Sequence, residues 1–169
     1  RSGGAMAAAW TSLHTLGQDG MLELARGAWQ TAQGLREGIG QIAGLRLLGR
    51  PDTTVVTYAS APDGPDLYAV ADLMQAKGWP MDRQAEPPSV HLSCNAVNAP
   101  QVPVYLADLA EAVAYASAHP ELRKEGEAAV YGLMARIPVR GLVEREVRGV
   151  MEGMYAANPA DEPLQPPRP

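Results

Sequence analysis

Leu45-Arg46-Leu47-Leu48-Gly49-Arg50-Pro51-Asp52-Thr53-Thr54-Val55-Val56-Thr57-Tyr58 holds two short runs of aliphatic and β-branched side chains, Leu45 to Leu48 and Thr53 to Tyr58. Gly49 to Asp52 supplies a turn between them. Strands this close in sequence leave no room for a crossover helix, so an antiparallel pair is expected. Beyond them, residues 61–65 read as a loop. Asp66 is placed to cap a helix over Leu67 to Ala76, with Leu67, Val70, Ala71 and Met74 on its apolar face. Gly78 stops that helix. Trp79 to Arg83 and Ser89 to Asn95 read as two further strands, separated by Glu86-Pro87-Pro88.

Helical spacing returns from Val102 to His119, through Leu106, Leu109, Val113 and Ala116. Leu122 to Val130 is mostly polar and reads as loose chain. A last helix is expected over Val139 to Ala156, using Leu142, Val147, Val150, Met151 and Met154. Upstream of the hairpin, Gly4 to Gln18 reads as a helix ended by Gly17, with a turn through Asp19-Gly20. A longer helix follows from Met21 to Ile42, its stripe formed by Leu22, Ala25, Trp29, Ala32, Leu35 and Ile39. Gly27, Gly34, Gly38 and Gly40 each weaken that helix by about 1 kcal/mol relative to Ala, so packing against something larger must compensate. The order of elements predicts an α+β fold: a small antiparallel sheet with helices mainly on one face. Residues 1–43 form connecting helices in this reading, 44–156 a small domain, and 157–169 a disordered proline-rich tail.

The chain has 169 residues, 46% of them hydrophobic, enough for a domain with its own core. A net charge of −5 gives no basic footprint for nucleic acid or an anionic membrane surface. No apolar run is long enough to span a bilayer, and no signal peptide opens the chain. Cys94, the only cysteine, excludes an internal disulfide and suits a reducing cytoplasm. Arg1 in place of an initiator methionine reads as the start of a fragment.

Three places could carry chemistry. Tyr131 lies in Val130-Tyr131-Gly132, read as a loop between helices, where its phenol could bind a phosphate or relay a proton, or simply pack its ring. Strand alternation puts Ser89, His91 and Ser93 on one face and Val90, Leu92 and Cys94 on the other, so His91 is either cleft-facing or a half-buried structural histidine. Arg1-Ser2-Gly3-Gly4 precedes a helix, where backbone amides favour anions, unless it is a frayed end. His14 and His119 read as structural, the histidines have no metal-ligand spacing, and Cys94 reads as buried and inert. No Walker loop, nucleophile elbow or paired-carboxylate motif is present.

Four short motifs occur in order along the chain: Arg1-Ser2-Gly3-Gly4, Ala76-Lys77-Gly78-Trp79, Pro87-Pro88-Ser89-Val90-His91 and Ala129-Val130-Tyr131-Gly132-Leu133. In this order and spacing the chain resembles the C-terminal part of the sphingosine-1-phosphate lyase family. These are pyridoxal-phosphate (PLP) enzymes of the aspartate-aminotransferase fold. The resemblance implies the small C-terminal domain of that fold, a homodimer, and a larger PLP-binding domain upstream of Arg1. It implies cleavage of a phosphorylated long-chain amino alcohol to an aldehyde and phosphoethanolamine. It also implies roles for this chain's residues: Tyr131 as a catalytic residue in a mobile loop, Arg1, Ser2 and Gly3 near the cofactor phosphate, and His91 toward the substrate. Related amino-acid decarboxylases carry arginine at the strand position of His91, to bind a substrate carboxylate. Neither Lys77 nor Lys124 stands at the family's Schiff-base position, so the chain alone is expected to be inactive. A PLP-dependent amino-acid decarboxylase and a non-catalytic interaction domain retaining the fold remain the alternatives.

Overall fold

The hairpin forms, with its second strand two residues further along than expected. In the computed structural model, which describes residues 2–50, 52–134, 145, 148–149 and 151–153, β1 (Leu45–Leu48) pairs antiparallel with β2 (Val55–Ser60), Leu47 opposite Tyr58. The other two strands are β3 (Asp82–Ala85) and β4 (Pro88–Ser93). All neighbours in the sheet are antiparallel, in the order β1-β2-β4-β3. β3 begins three residues later than the sequence predicts. The Trp79 indole N–H instead donates to Asp108 at 2.9 Å, and its ring meets Tyr105 edge-on. That pulls Trp79 to Met81 away from the sheet.

The chain divides into two compact units, residues 1–135 and 136–169. In the second, residues 145, 148–149 and 151–153 are helical, inside the expected last helix. The predicted tail, 157–169, lies outside the described residues.

In the first unit, α1 (Gly3–Gly40) replaces the two helices expected upstream. Gly17 bends it, at φ 60 and ψ −169, but the helix resumes at once. Only its last part packs: Thr31, Ala32, Leu35 and Ile39 are buried, whereas Met6, Trp10, Leu13, Leu16, Leu22 and Trp29 are exposed. Leu22, Ala25 and Trp29 thus leave the predicted stripe. Gly27 and Gly38 of α1 permit close approach by the segment that follows the sheet: a Cβ on Gly27 would stand 2.8 Å from the Ala96 methyl, and one on Gly38 would overlap the Leu106 side chain. α2 (Leu67–Ala76) has the predicted cap, Asp66 Oδ1 accepting from the N–H groups of Tyr68 and Ala69. A 310 turn (Ala96–Gln101) leads into α3 (Val102–Ala118).

The segment expected to be loose is ordered. A 310 turn (Pro120–Lys124) runs into α4 (Gly126–Met134), so the backbone of Tyr131 is helical and not a loop. The cause is tertiary: Asp72 on α2 caps α4. No helix among the described residues is long and apolar enough to cross a membrane.

The core lies on one sheet face. Leu45, Val56, Tyr58 and Val90 meet Ala32, Leu35 and Ile39 of α1, Val70, Ala71 and Met74 of α2, and Tyr105, Leu109 and Val113 of α3. Within it the Tyr58 and Tyr105 hydroxyls lie 2.9 Å apart. Burial pushes the Tyr105 phenol up to about 12, and burial with the neighbouring Tyr105 raises Tyr58 well above its ordinary value. The pair therefore stays neutral and hydrogen-bonded. Tyr58→Phe strands the Tyr105 hydroxyl and is expected to cost about 1–3 kcal/mol. Tyr58→Phe with Tyr105→Phe should cost less than the sum of the two single changes. Urea unfolding of the three variants checks this; additive losses would mean that the hydroxyls are not coupled.

Candidate functional site

β3 stops pairing at Asp82, opposite His91, and leaves Leu92 and Ser93 of β4 without a neighbour on that side. A groove of about 560 Å³ opens there. Trp79, Met81, Leu92 and Val102 give it apolar walls, and Asp82, His91, Ser93 and Asn98 give it polar ones. The architecture follows from strand alternation. Val90 and Leu92 share a face with Val56 and Tyr58, while His91 shares the opposite face with Thr57 and Asp82.

His91 is held at both ring nitrogens. Nε2 lies 3.0 Å from Asp82 Oδ2, and Nδ1 lies 2.7 Å from Gln84 Nε2. With the amide nitrogen of Gln84 donating, Nδ1 accepts and the ring proton sits on Nε2 toward Asp82. The side chain keeps 29% of its surface exposed at the groove. Asp82 and Gln84 orient this imidazole, and sequence reading alone did not single them out. The available signal was their spacing: residues 82 and 84 alternate with 83 and so share one face of a strand.

Of the other expected site residues, Ser2 and Gly3 do not join His91. Ser2 is exposed, sits at the N-cap of α1 in extended conformation and makes no capping bond with its side chain; Gly3 is exposed and opens the helix. A Cβ on Gly3 would meet nothing within 4 Å. Some 28 residues, roughly 40 Å of helical path, separate Gly3 from Thr31, the first buried residue of α1. Arg1 lies outside the described residues. So does the side chain of Tyr131, although its backbone belongs to α4. Cys94 is buried, and burial raises its thiol pKa, as befits an inert cysteine. His14 stacks on Trp10, and His119 stacks on Tyr115.

The described residues do not by themselves fit PLP, the cofactor that the motif resemblance implies. Its aldehyde needs a free amine, and Lys77 Nζ is bound to Asp108 Oδ1 at 2.9 Å and to Glu111 Oε2 at 2.8 Å. Its phosphate needs cations or clustered amides, but the groove presents the Asp82 carboxylate, and the buried guanidinium of Arg83 is committed to Asp72 and Glu127. No step through the cofactor is assigned to this chain.

Comparison with known proteins places this architecture. A sphingosine-1-phosphate lyase from Arabidopsis thaliana is 32% identical over 155 residues, which cover 92% of this chain and 28% of the relative. The Oryza sativa lyase is 33% identical over 143 residues, covering 85% of this chain and 26% of the relative. The solved structure of a sphingosine-1-phosphate lyase from Burkholderia pseudomallei superposes with a TM-score of 0.65 at 31% identity, over 73% of this chain and 28% of that one. This is a partial sphingosine-1-phosphate-lyase-like chain. It spans little more than a quarter of the length of the relatives it matches. No family model matches it. Its small four-stranded antiparallel sheet covered by helices is the α+β fold expected from the order of elements.

Proposed function

We propose that this chain is the small-domain portion of a PLP-dependent carbon–carbon lyase whose substrate is a phosphorylated long-chain amino alcohol, released as an aldehyde and phosphoethanolamine. The observation that carries this reading is the sequence likeness to sphingosine-1-phosphate lyases along 92% of the chain. In the whole protein, PLP would be bound by the region that supplies the lysine, and would serve there as an electron sink. This chain's own part is positional. His91, fixed by Asp82 and Gln84, would line the substrate cleft, and Tyr131 would act from α4. Arg1, Ser2 and Gly3 would lie near the cofactor phosphate of a neighbouring subunit in a cytoplasmic homodimer. The exposed Met6, Trp10, Leu13 and Leu16 support this last point, since apolar side chains on the first part of α1 suit a surface that larger domains cover.

The histidine supports the lyase reading over the decarboxylase reading. A substrate carboxylate would call for a guanidinium, and this strand offers an imidazole already tied to a carboxylate at 3.0 Å. His91→Arg in the full-length protein is expected to lower kcat/KM for the phosphorylated amino alcohol by about tenfold or more, on the scale of losing oriented hydrogen bonds. It should create no amino-acid decarboxylation. Steady-state kinetics on both substrate classes is the check. Unchanged lyase activity would mean that this face of β4 does not see substrate; new decarboxylation would favour the second reading.

A further inference from the structure

Arg83 is the one charged residue that β3 turns toward the helices. It stands opposite Val90, on the core face of the sheet, and its side chain is 3% exposed. Nη2 bonds Asp72 Oδ1 of α2 at 2.6 Å. Nη1 meets Glu127 Oε2 of α4 at 2.9 Å and Gln75 Oε1 of α2 at 3.0 Å. The second oxygen of Asp72 is used as well: Oδ2 accepts the backbone N–H of Ala128 at 2.9 Å.

That N–H belongs to the first turn of α4, where helical amides have no partner within the helix. Asp72 therefore caps α4 from another helix, 56 residues away in sequence. Glu127, also in the first turn, adds a negative charge at the favourable end of the helix dipole. The fit is close. Gly126 takes φ +54, and a Cβ there would stand 2.8 Å from Asp72 Oδ2. Ala128 is buried against Tyr68 and Ala69 of α2. Tyr131 lies three residues beyond Ala128, less than one helical turn.

We propose that Arg83 and Asp72 are positioning residues for the reaction: they fix the first turn of α4 and thereby the place of Tyr131. This rests on the reading above, in which Tyr131 acts on substrate. β3 then serves both candidate residues through adjacent positions. Asp82 orients His91 on one face of the strand, and Arg83 anchors the tyrosine-bearing helix on the other. A buried ion pair is a poor source of net stability compared with apolar packing, but it specifies geometry, and breaking one partner leaves the other charge uncompensated.

The test uses the full-length, PLP-loaded protein. Asp72→Asn and Arg83→Met are expected to speed amide hydrogen exchange across residues 126–134 while exchange in β2 and β4 stays unchanged. They should lower kcat by about tenfold to a hundredfold, the scale of misplacing a reacting group. Arg83→Lys should restore part of that loss. Combined with Tyr131→Phe, Asp72→Asn should cause little further loss, because both changes remove the same contribution. A full additional loss in the Tyr131→Phe background would overturn the positioning role while leaving Tyr131 itself in place. Unchanged exchange over 126–134 would overturn it too. If Tyr131→Phe alone changes nothing, the reading of Tyr131 fails and this proposal fails with it. Should Asp72→Asn and Arg83→Met not fold, Glu127→Gln at the exposed rim of the cluster is the milder break and is judged by the same cycle.

Discussion

Incubation of the 169-residue chain with PLP, followed by borohydride reduction, is expected to yield no stoichiometric pyridoxyl-lysine and no turnover. Only two lysines are available, Lys77 and Lys124. An aldehyde reacts with the neutral amine, and an ordinary lysine is almost wholly protonated at neutral pH. A catalytic lysine is activated by burial or by nearby positive charge, both of which lower its pKa. Lys77 has the opposite surroundings. Its hydrogen bond to Asp108, then that to Glu111, raises its pKa above the usual lysine value. Asp108 is fixed in turn by the Trp79 indole, which donates to its other oxygen, and the Lys77 and Trp79 bonds together lower the pKa of that carboxyl group. The ammonium form is therefore favoured even more than in a free lysine, and the three groups join the end of α2 to α3. Lys124 ends a 310 turn away from the groove. Mass spectrometry of the reduced product decides the matter. One equivalent of label at either lysine, accompanied by cleavage of substrate, would sink the view that the reactive amine lies elsewhere in the protein.

What the sequence made legible, and what it did not, divides along contact range. The β1–β2 hairpin and α2 were readable because their determinants are local: aliphatic and β-branched runs around a glycine-bearing turn in one case, the Asp66 cap with an apolar face in the other. The start of β3 was not readable, since Trp79 leaves the strand path for a bond to Asp108, 29 residues on. α4 was missed for the same reason. Its own sequence is weakly patterned, and its cap and charge partners sit on α2 and β3. Gly17 looked like a terminator because glycine often ends helices, yet here it only bends one. The face of His91 followed from alternation alone. Its partners Asp82 and Gln84 did not, because naming them requires the register of β3 against β4.

Replacement of Tyr131 by Phe in the full-length protein is expected to lower kcat by roughly 100-fold or more, the usual scale for a group that moves a proton in the transition state. The substitution removes one hydroxyl and keeps the ring, so the fold and the cofactor spectrum should survive. Placement of Tyr131 in α4 sharpens this expectation. A tyrosine in a free loop would have to be ordered by substrate at an entropic cost, whereas a helix capped by Asp72 and tied to Arg83 has its backbone already set. The pattern of constants then reports the role. A fall in kcat with KM nearly constant means that the hydroxyl acts in the transition state. A rise in KM with kcat nearly constant means that it holds the ground-state phosphate. Changes within about twofold in both would mean that the phenol faces neither substrate nor cofactor, as expected when an exposed hydroxyl is removed. Steady-state kinetics of this single variant, with the cofactor absorbance as the folding control, separates the three.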